Sequence, residues 1–318
     1  MSNGLPESRL RFSTILIAAG ASLFFCSKGV FVKCAYRHGA DYLTVLTLRM
    51  IFALPFFLIT GLFAKRRRNI LLTPREWAAM AGLGFLGYYV SSVLNFAGLA
   101  YTSVGLERIV LYSYPSLVVL GSAIFLKQPL QKSVMVAAGI AWLGIAVAFS
   151  GEAASRADGH GTVGLGTALV FGSAVTYAAF ILLSGQLLKR IGPAVFTSGV
   201  VAFSALFVVV HFLTQRPAVS LLHQPAPVYG WCAVLASVST VIPSYLMGMG
   251  IARAGAARFA VIGTSGPVMT VLLAWLMLGE RVNAMQLLGF ALSLGGGLAV
   301  SLLKPKTKPA AVPVVTET

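Results

Sequence analysis

Residues 250–302 read GIARAGAARFAVIGTSGPVMTVLLAWLMLGERVNAMQLLGFALSLGGGLAVSL, and two apolar runs fill almost all of this stretch. The runs at 256–277 and 282–302 are each about 20 residues long, which is the length of an α-helix that crosses the hydrocarbon core of a bilayer. A short polar turn, Gly279-Glu280-Arg281, separates them. The stretch therefore predicts two consecutive membrane-spanning helices.

Eight further apolar runs precede these two, separated by short basic or glycine- and proline-containing segments. The predicted spans are 13–34, 42–63, 75–97, 105–126, 133–150, 163–185, 194–213, 229–250, 256–277 and 282–302. Of the 318 residues, 58% are hydrophobic and 10% are charged, whereas a soluble domain carries roughly 25% charged residues. The mean hydropathy is +0.87. We predict an all-α polytopic membrane protein of about ten transmembrane helices.

The net charge of +16 is distributed as membrane topology requires. With the N-terminus in the cytoplasm, and with Lys33, Arg75 and Arg258 at span ends counted on the adjacent side, 16 of the 24 Lys and Arg residues fall on the cytoplasmic side, five on the opposite side and three within the membrane. Cytoplasmic loops of membrane proteins carry this excess of basic residues. The distribution predicts a multi-pass protein of the bacterial inner (plasma) membrane with both termini in the cytoplasm, and it argues against a nucleic-acid partner.

Two halves of the chain match at a fixed offset of 152 residues. Ser92 falls on Ser244 and Pro115 on Pro267, and the offset places span on span through five helices. Because five is an odd number, the second copy enters the membrane from the opposite side, so the sequence predicts two inverted five-helix repeats. Inverted repeats are common in secondary transporters, whose substrate sites lie near the midplane where the repeats meet.

The repeat divides the chain into five parts. They are a cytoplasmic N-terminus at 1–12, a first repeat at 13–150, a polar linker at 151–162, a second repeat at 163–302 and a disordered cytoplasmic tail at 303–318.

The residues themselves resemble a known family. Residues 250–302, with Pro267 inside a span and the Gly279-Glu280-Arg281 turn, resemble the C-terminal EamA repeat of the drug/metabolite transporter superfamily. Asn95–Lys127, reading NFAGLAYTSVGLERIVLYSYPSLVVLGSAIFLK, resembles the matching part of the first repeat. The resemblance covers roughly residues 13–302 and implies ten helices and the export or exchange of metabolites such as amino acids. The first repeat departs from the pattern, because Lys127-Gln128-Pro129 stands where the second has Gly-Glu-Arg.

Polar residues at helical spacing form stripes on four of the spans. These stripes are Tyr88, Ser91, Ser92 and Asn95 on the third span, Arg108, Tyr112 and Ser116 on the fourth, Ser173, Thr176 and Tyr177 on the sixth, and Ser237, Thr240 and Ser244 on the eighth. One interpretation is hydrogen bonding between neighbouring helices, which Ser and Thr commonly provide in membranes. The other is the lining of an aqueous cavity, which the matched stripes and their Tyr and Asn members favour.

Apart from residues assigned to the membrane surfaces at span ends, such as Arg75 and Glu76, four charged residues lie within spans, where a charge costs about 2.5–3.5 kcal/mol at mid-bilayer on insertion scales. Lys28, Arg49 and Arg108 are cations, and Glu107 is the one anion. Glu107 and Arg108 either extend to the interface, form a structural ion pair or serve function. Lys28 either binds an anion or is neutral or bonded to carbonyls freed by a helix break. The excess of cations predicts an anionic or zwitterionic substrate. The candidate substrate-binding residues are Lys28, Tyr88, Ser92, Asn95, Glu107, Arg108, Tyr112, Tyr177, Thr240, Ser244 and Thr264.

The fifth and tenth spans have small residues at helical spacing instead. Gly144 and Ala148 lie on the fifth, and Gly289, Ser293 and Gly297 on the tenth. Such ridges allow close helix packing, so these spans are expected to form a scaffold or a homodimer contact within the lipid bilayer.

Other function classes find little support in the sequence. The GxGxxG pattern at 82–87 lies inside an apolar span without the strand and acidic residue of a dinucleotide site. We see no nucleotide-binding motif or catalytic constellation, and we expect no cofactor and no metal. The sequence predicts a secondary active transporter, an exporter of small metabolites such as amino acids, working by alternating access. A passive channel or pore is the alternative.

Overall fold

The computed structural model describes residues 20, 23–24, 26–67, 69–125, 127, 129–155, 159–243, 246 and 266–302. The regular structure of these residues is helical, with no strand among them. We label the helices α1 Lys28–Arg37, α2 Tyr42–Arg67, α3 Pro74–Leu99, α4 Val104–Phe125, α5 Lys132–Ser155, α6 Gly159–Ile191, α7 Pro193–Gln215, α8 Ala226–Val241, α9 Gly266–Leu278 and α10 Ala284–Leu302. The predicted N-terminal segment at 1–12 and tail at 303–318 lie outside the described residues.

Six helices, α2 to α7, are long and apolar enough to cross a membrane, and the described parts of α8, α9 and α10 are shorter apolar helices. The prediction of an all-helical, multi-pass membrane protein is therefore confirmed. The count of ten spans and the inverted topology stay predictions. Several helices extend past the predicted spans: α5 continues to Ser155 and α6 begins at Gly159, so both enter the predicted linker.

Polar contacts explain why α6 continues beyond its apolar run at 163–185. The helix ends at Ile191, after the basic residues Lys189 and Arg190. Arg190 Nε lies 3.1 Å from Glu76 Oε1 in the first turn of α3. Interfacial charges of this kind continue a helix beyond the hydrocarbon layer, which hydropathy alone does not reveal.

Helices of the two repeats pack mainly against one another. Pairs in contact across the two repeats include α2 with α7, α5 with α10, α3 with α6, and α8 with α1 and α2. Between α5 and α10 the backbones touch: a Cβ atom on Gly144 would lie 2.3 Å from Ser293 N, and one on Gly289 would lie 2.4 Å from Ala148 N. The small-residue ridges of these two helices therefore face each other within the chain.

The prediction that Gly297 belongs to the small-residue ridge of α10 is wrong. A Cβ atom on Gly296 would lie 2.5 Å from Ala141 N, whereas a Cβ atom on Gly297 would meet nothing within 4 Å. The contact face thus contains Gly289, Ser293 and Gly296. In a helix of 3.6 residues per turn, Gly296, seven residues after Gly289, lies on the same face, whereas Gly297, eight residues after it, is rotated away.

Two π-helical segments occupy equivalent places in the repeats. Gly84–Val90 forms the middle of α3, and Ser237–Val241 forms the described end of α8. Subtracting 152 from the second range gives 85–89, which lies inside the first range. π-turns are rare and frequently occur at functional sites.

Two of the three glycines of the GxGxxG pattern, Gly84 and Gly87, serve packing at the first of these segments. A Cβ atom on Gly87 would lie 2.2 Å from Phe180 Cγ of α6, and one on Gly84 would lie 2.7 Å from Val200 O of α7. The glycines allow the π-helical part of α3 to lie directly against the second repeat.

Candidate functional site

Three helices of the first repeat meet at a chain of polar side chains, which we call the charged cluster: Lys28, Asn95, Glu107 and Arg108. Lys28 Nζ on α1 donates a hydrogen bond to Asn95 Oδ1 on α3, at 2.8 Å. Asn95 Nδ2 in turn donates to Glu107 Oε1 on α4, at 2.7 Å. Lys28 is half-buried, and among the described residues a side-chain amide accepts its hydrogen bond.

Glu107 and Arg108 are fully enclosed by protein. Both side chains are 0% exposed, and Arg108 Nε lies 3.9 Å from Glu107 Oε2. Arg108 Nη2 also donates a hydrogen bond to Cys26 O at 3.2 Å. The alternative that these side chains reach the membrane interface is therefore wrong. Removing one partner from such a buried pair leaves an uncompensated charge, at a cost of about 3–5 kcal/mol.

The start of α4 is held in place by two other carboxylates. Glu152 from α5 accepts the backbone N–H of Ser103 at 2.7 Å, and it also accepts the Ser103 hydroxyl. Glu280, in the turn before α10, accepts the N–H of Val104 at 3.0 Å. Carboxylates stabilise a helix N-terminus because they satisfy its free N–H groups and its positive dipole end. The first turn of α4, which contains Glu107, is thus fixed by both repeats.

The same helix is broken in its middle. α4 is interrupted by a turn at Tyr112 and Ser113 before it continues from Tyr114. Pro115 explains the break, because it has no N–H to bond to the carbonyl of Leu111 and disfavours helical geometry in the residue before it. Tyr112 therefore lies at a bend of the helix and is half-buried.

A second group of contacts, next to the charged cluster, joins α2 and the start of α1 to α8. Arg49 Nε on α2 donates to Thr240 Oγ1 at 3.0 Å. Ser27 Oγ lies 2.8 Å from Ser239 Oγ. Thr240 and Ser239 both belong to the π-helical segment of α8. The π-turn thus presents adjacent polar residues to α1 and α2.

Lys28 and Arg49 share one aromatic ring. Lys28 Nζ lies 5.8 Å and Arg49 Cζ 5.5 Å from the centre of the Phe96 ring. Cation–π contacts within about 6 Å stabilise a cation that has left water. Phe96 on α3 is therefore a common neighbour of the two cations on α1 and α2.

An aromatic cluster lies on the second-repeat side, made of Tyr88, Tyr114, Tyr177, Phe180 and Phe196. The Tyr88 and Phe180 rings are 5.5 Å apart, edge to face, and the Tyr114 and Tyr177 rings are 5.4 Å apart. Tyr88 and Tyr177 are half-buried. Their rings form one continuous surface between α3, α4 and α6, on which the hydroxyl groups are the polar atoms.

Not every stripe residue serves the same purpose. Ser91 Oγ lies 2.9 Å from Ser173 Oγ, so these residues join α3 to α6 as the packing interpretation expects. Thr176 bonds to carbonyls of its own helix. Ser92, one residue from Ser91, is half-buried. The predicted residues Ser244 and Thr264 lie outside the described residues.

Sequence reasoning missed several residues of this region. Phe96 contacts the predicted residue Lys28, and Ser27 and Ser239, the chain neighbours of Lys28 and Thr240, contact each other, but their polarity and spacing do not distinguish them from ordinary helix residues. Glu152 and Glu280 cap the start of α4. Their partner helix is distant in sequence and follows only from the fold.

An apolar cleft of about 690 Å³ lies elsewhere, between α4, α9 and α10. Trp275, Leu272 and Phe290 contribute to its lining, and none of the predicted substrate-binding residues does. Trp275 and Leu272 are exposed on the side of the bundle. The cleft has the chemistry of a lipid contact rather than of a site for a polar metabolite.

Comparisons with known proteins agree with the geometry. The EamA-like transporter family matches the chain twice, at residues 12–150 and 164–302. The chain belongs to this family. A Bacillus subtilis protein named uncharacterized transporter YcbK is 30% identical over 286 residues, which are 87% of this chain and 88% of that protein. A Synechocystis protein named uncharacterized transporter sll1319 is 24% identical over 314 residues, covering 90% of this chain and 92% of that protein.

The EamA-like fold is also found in a solved crystal structure. That structure matches with a TM-score of 0.61 at 20% identity, over 92% of this chain and 97% of the other. At this identity the likeness shows the shared fold alone. Together the matches confirm the resemblance to an EamA-type transporter and the prediction of a membrane transporter.

Proposed function

We propose that this protein is a secondary active transporter that exports small metabolites bearing a carboxylate, such as amino acids. The observation that supports this proposal is the charge balance of the buried site. Lys28, Arg49 and Arg108 lie within one connected set of contacts, and Glu107 is the carboxylate among them. Cations removed from water need an anion or other polar partners, and a substrate carboxylate supplies that anion.

Each group of the site has a proposed role. Lys28 and Arg49 bind the carboxylate, since they lie beside the same ring and Lys28 is half-buried rather than enclosed. Arg108 and Glu107 fix the geometry of α4 as a buried pair. The Tyr88 and Tyr177 hydroxyls, with Ser92, Tyr112 and Thr240, complete the polar lining, and Asn95 orients Lys28. A substrate ammonium group is bound by tyrosine hydroxyls or by Glu107.

Alternating access follows from the repeats. We propose ten spans in two inverted five-helix repeats that rock about this site. The crossed packing of α3 on α6 and of α8 on α1 supports a pseudo-twofold arrangement. The π-helical segments at equivalent positions are the proposed hinges, because π-turns interrupt the regular hydrogen-bond ladder where the two repeats meet.

The orientation proposed from the basic residues places both termini in the cytoplasm and the turn between α5 and α6 outside the inner membrane. Ser155 is exposed at the end of α5. In a variant without native cysteines, Ser155→Cys should react with a membrane-impermeant maleimide in intact cells whose outer membrane, where present, is permeabilised. Reaction only after lysis would overturn the orientation.

The function is tested with Lys28→Met in proteoliposomes, using a panel of radiolabelled amino acids and their amide analogues. We expect saturable, gradient-dependent uptake of the carboxylate form by the wild type and loss of that uptake in Lys28→Met. The rate of uptake of the amide analogue should be the same in both proteins. Lys132→Met, at the exposed start of α5, is the matched control. Equal rates for wild type and Lys28→Met would contradict the proposal, and linear, non-saturable flux would indicate a pore. Gel filtration checks that the variant is folded.

A further inference from the structure

The inference about the energy source of transport rests on the proposed carboxylate site. The charged cluster contains two kinds of cation. A guanidinium stays charged in proteins, whereas a lysine amine can give up its proton. Lys28 is therefore the cation of this site whose charge can change during a transport cycle.

The surroundings of Lys28 favour such a change. Arg49 lies beside the same Phe96 ring, and Arg108 follows Glu107 on α4. Burial and neighbouring cations both disfavour a charged amine. The amine donates a hydrogen bond to Asn95 Oδ1, a neutral acceptor.

Glu107 offsets this only in part. It accepts a hydrogen bond from Asn95 Nδ2 and lies beside the Arg108 guanidinium. The amide of Asn95 stands between Glu107 and the Lys28 amine, so the carboxylate is not in direct contact with it. Glu107 is therefore paired with Arg108 rather than with Lys28.

In their described parts, the other helices around Lys28 add no charge. Cys26, which precedes α1, is a further titratable neighbour and a buried free thiol. The described parts of α8 and α9, which pack against α1, contain no Asp, Glu, Lys, Arg or His. Among the described residues, the charge state of Lys28 thus depends on Arg49, Arg108 and Glu107, and in addition on any anion that enters the site.

We propose that Lys28 carries the coupling proton of the transporter. In the empty site the neutral amine donates to Asn95. When a substrate carboxylate binds, the amine takes one proton from a hydronium ion of the adjoining solution and leaves water, forming an ammonium paired with the carboxylate. When the substrate dissociates on the other side, the ammonium returns that proton to water. One proton moves with each carboxylate in the same direction, so efflux of an accumulated metabolite down its own gradient exports protons.

Direct titration of Lys28 tests the first step without any substrate. Purified full-length protein is treated with trace acetic anhydride over about pH 6 to 9, where exposed lysines are largely protonated, and acetylation of Lys28 and of exposed Lys132 is counted by mass spectrometry. Because only the neutral amine reacts, we expect Lys28 to approach its own maximal rate at a lower pH than Lys132. A Lys28 profile that coincides with that of Lys132, or lies at higher pH, would overturn the proposal.

Coupling is tested in proteoliposomes containing a pH dye, with an equimolar mixture of L-amino acids that have uncharged side chains. We expect wild-type uptake to be accompanied by proton entry, and the apparent Kd to rise toward about tenfold per pH unit on the alkaline side, the limit for one linked proton. For Lys28→Arg, whose charge is fixed, the measured quantity is the number of protons that enter per amino acid taken up, and at whatever rate of uptake remains this ratio should fall to the level of empty liposomes. Lys132→Arg is the control.

Wild-type uptake without proton entry, or Lys28→Arg with the wild-type proton ratio, would contradict the coupling role while leaving carboxylate transport intact. The absence of uptake of any amino acid, with Lys28 titrating as expected, would instead show that the proposed substrate is wrong. The two failures are therefore distinguishable.

Discussion

Lys28 in the first repeat and Phe180 in the second occupy equivalent positions, 152 residues apart, in opposite chemical surroundings. Lys28 donates to Asn95 and belongs to the charged cluster. Phe180 is buried, with the rings of Tyr88 and Tyr177 at 5.5 and 5.9 Å. One scaffold thus presents a cation in one copy and an aromatic surface in the other.

The same contrast holds at further positions. Arg49 corresponds to Val201, which is buried in an apolar cluster with Phe57. Glu107 and Arg108 correspond in sequence to Phe259 and Ala260. We infer that the shared helix arrangement serves the movement and that the first repeat supplies the charge recognition.

The largest expected loss of stability comes from breaking the buried Glu107–Arg108 pair, which only the first repeat has. Arg108→Leu leaves Glu107 as an uncompensated buried charge and should lower the free energy of unfolding in mixed micelles by about 3–5 kcal/mol. The double variant Glu107→Gln with Arg108→Leu removes both charges and should recover much of this loss. Equal destabilisation of the single and double variants would show that the ion pair is not the reason.

A smaller effect is expected when the charge is moved to the second repeat. Phe180→Lys places an ammonium among aromatic rings at the position equivalent to Lys28, and it should destabilise the protein by about 2.5–3.5 kcal/mol. Phe180→Met keeps the site apolar and should cost less than about 1.5 kcal/mol. If both variants unfold at the same denaturant concentration, the two repeats do not differ chemically as described.

The smallest effect concerns the turn before α10. Glu280 caps α4, whereas the first repeat has Gln128 at the equivalent position. Glu280→Gln should lower the free energy of unfolding by about 0.5–1.5 kcal/mol, because an amide accepts a weaker hydrogen bond from Val104 than a carboxylate. Exposed Arg281→Gln should stay within about 0.5 kcal/mol, and a loss as large as that of Glu280→Gln would argue against the capping role.

Hydropathy predicts the helices well because burial in lipid requires long apolar runs. The predicted span 42–63 is observed as Tyr42–Arg67, and 194–213 as Pro193–Gln215. The π-helical segments were not predicted, since a change of hydrogen-bond register within an apolar helix leaves no distinct pattern of residue types.

The sequence predicts which residues belong to the site but not which of them form hydrogen bonds with one another. Lys28, Asn95 and Glu107 were identified because each is polar within an apolar span. Their hydrogen-bonded chain joins three helices and depends on packing that a single sequence does not specify. Spacing likewise could not separate Ser91, which joins two helices, from its neighbour Ser92.

The central claim is that the polar faces of α3 and α8 border one substrate-filled cavity, and cysteine accessibility tests it most directly. In a variant lacking Cys26, Cys34 and Cys232, Ser92→Cys and Thr240→Cys should react with a water-soluble methanethiosulfonate reagent and be protected by the amino-acid mixture. Val93 packs against the apolar core and Leu94 lies near Gly172, so cysteines there should react slowly and without protection. Equal, unprotected reaction at all four positions would contradict the account.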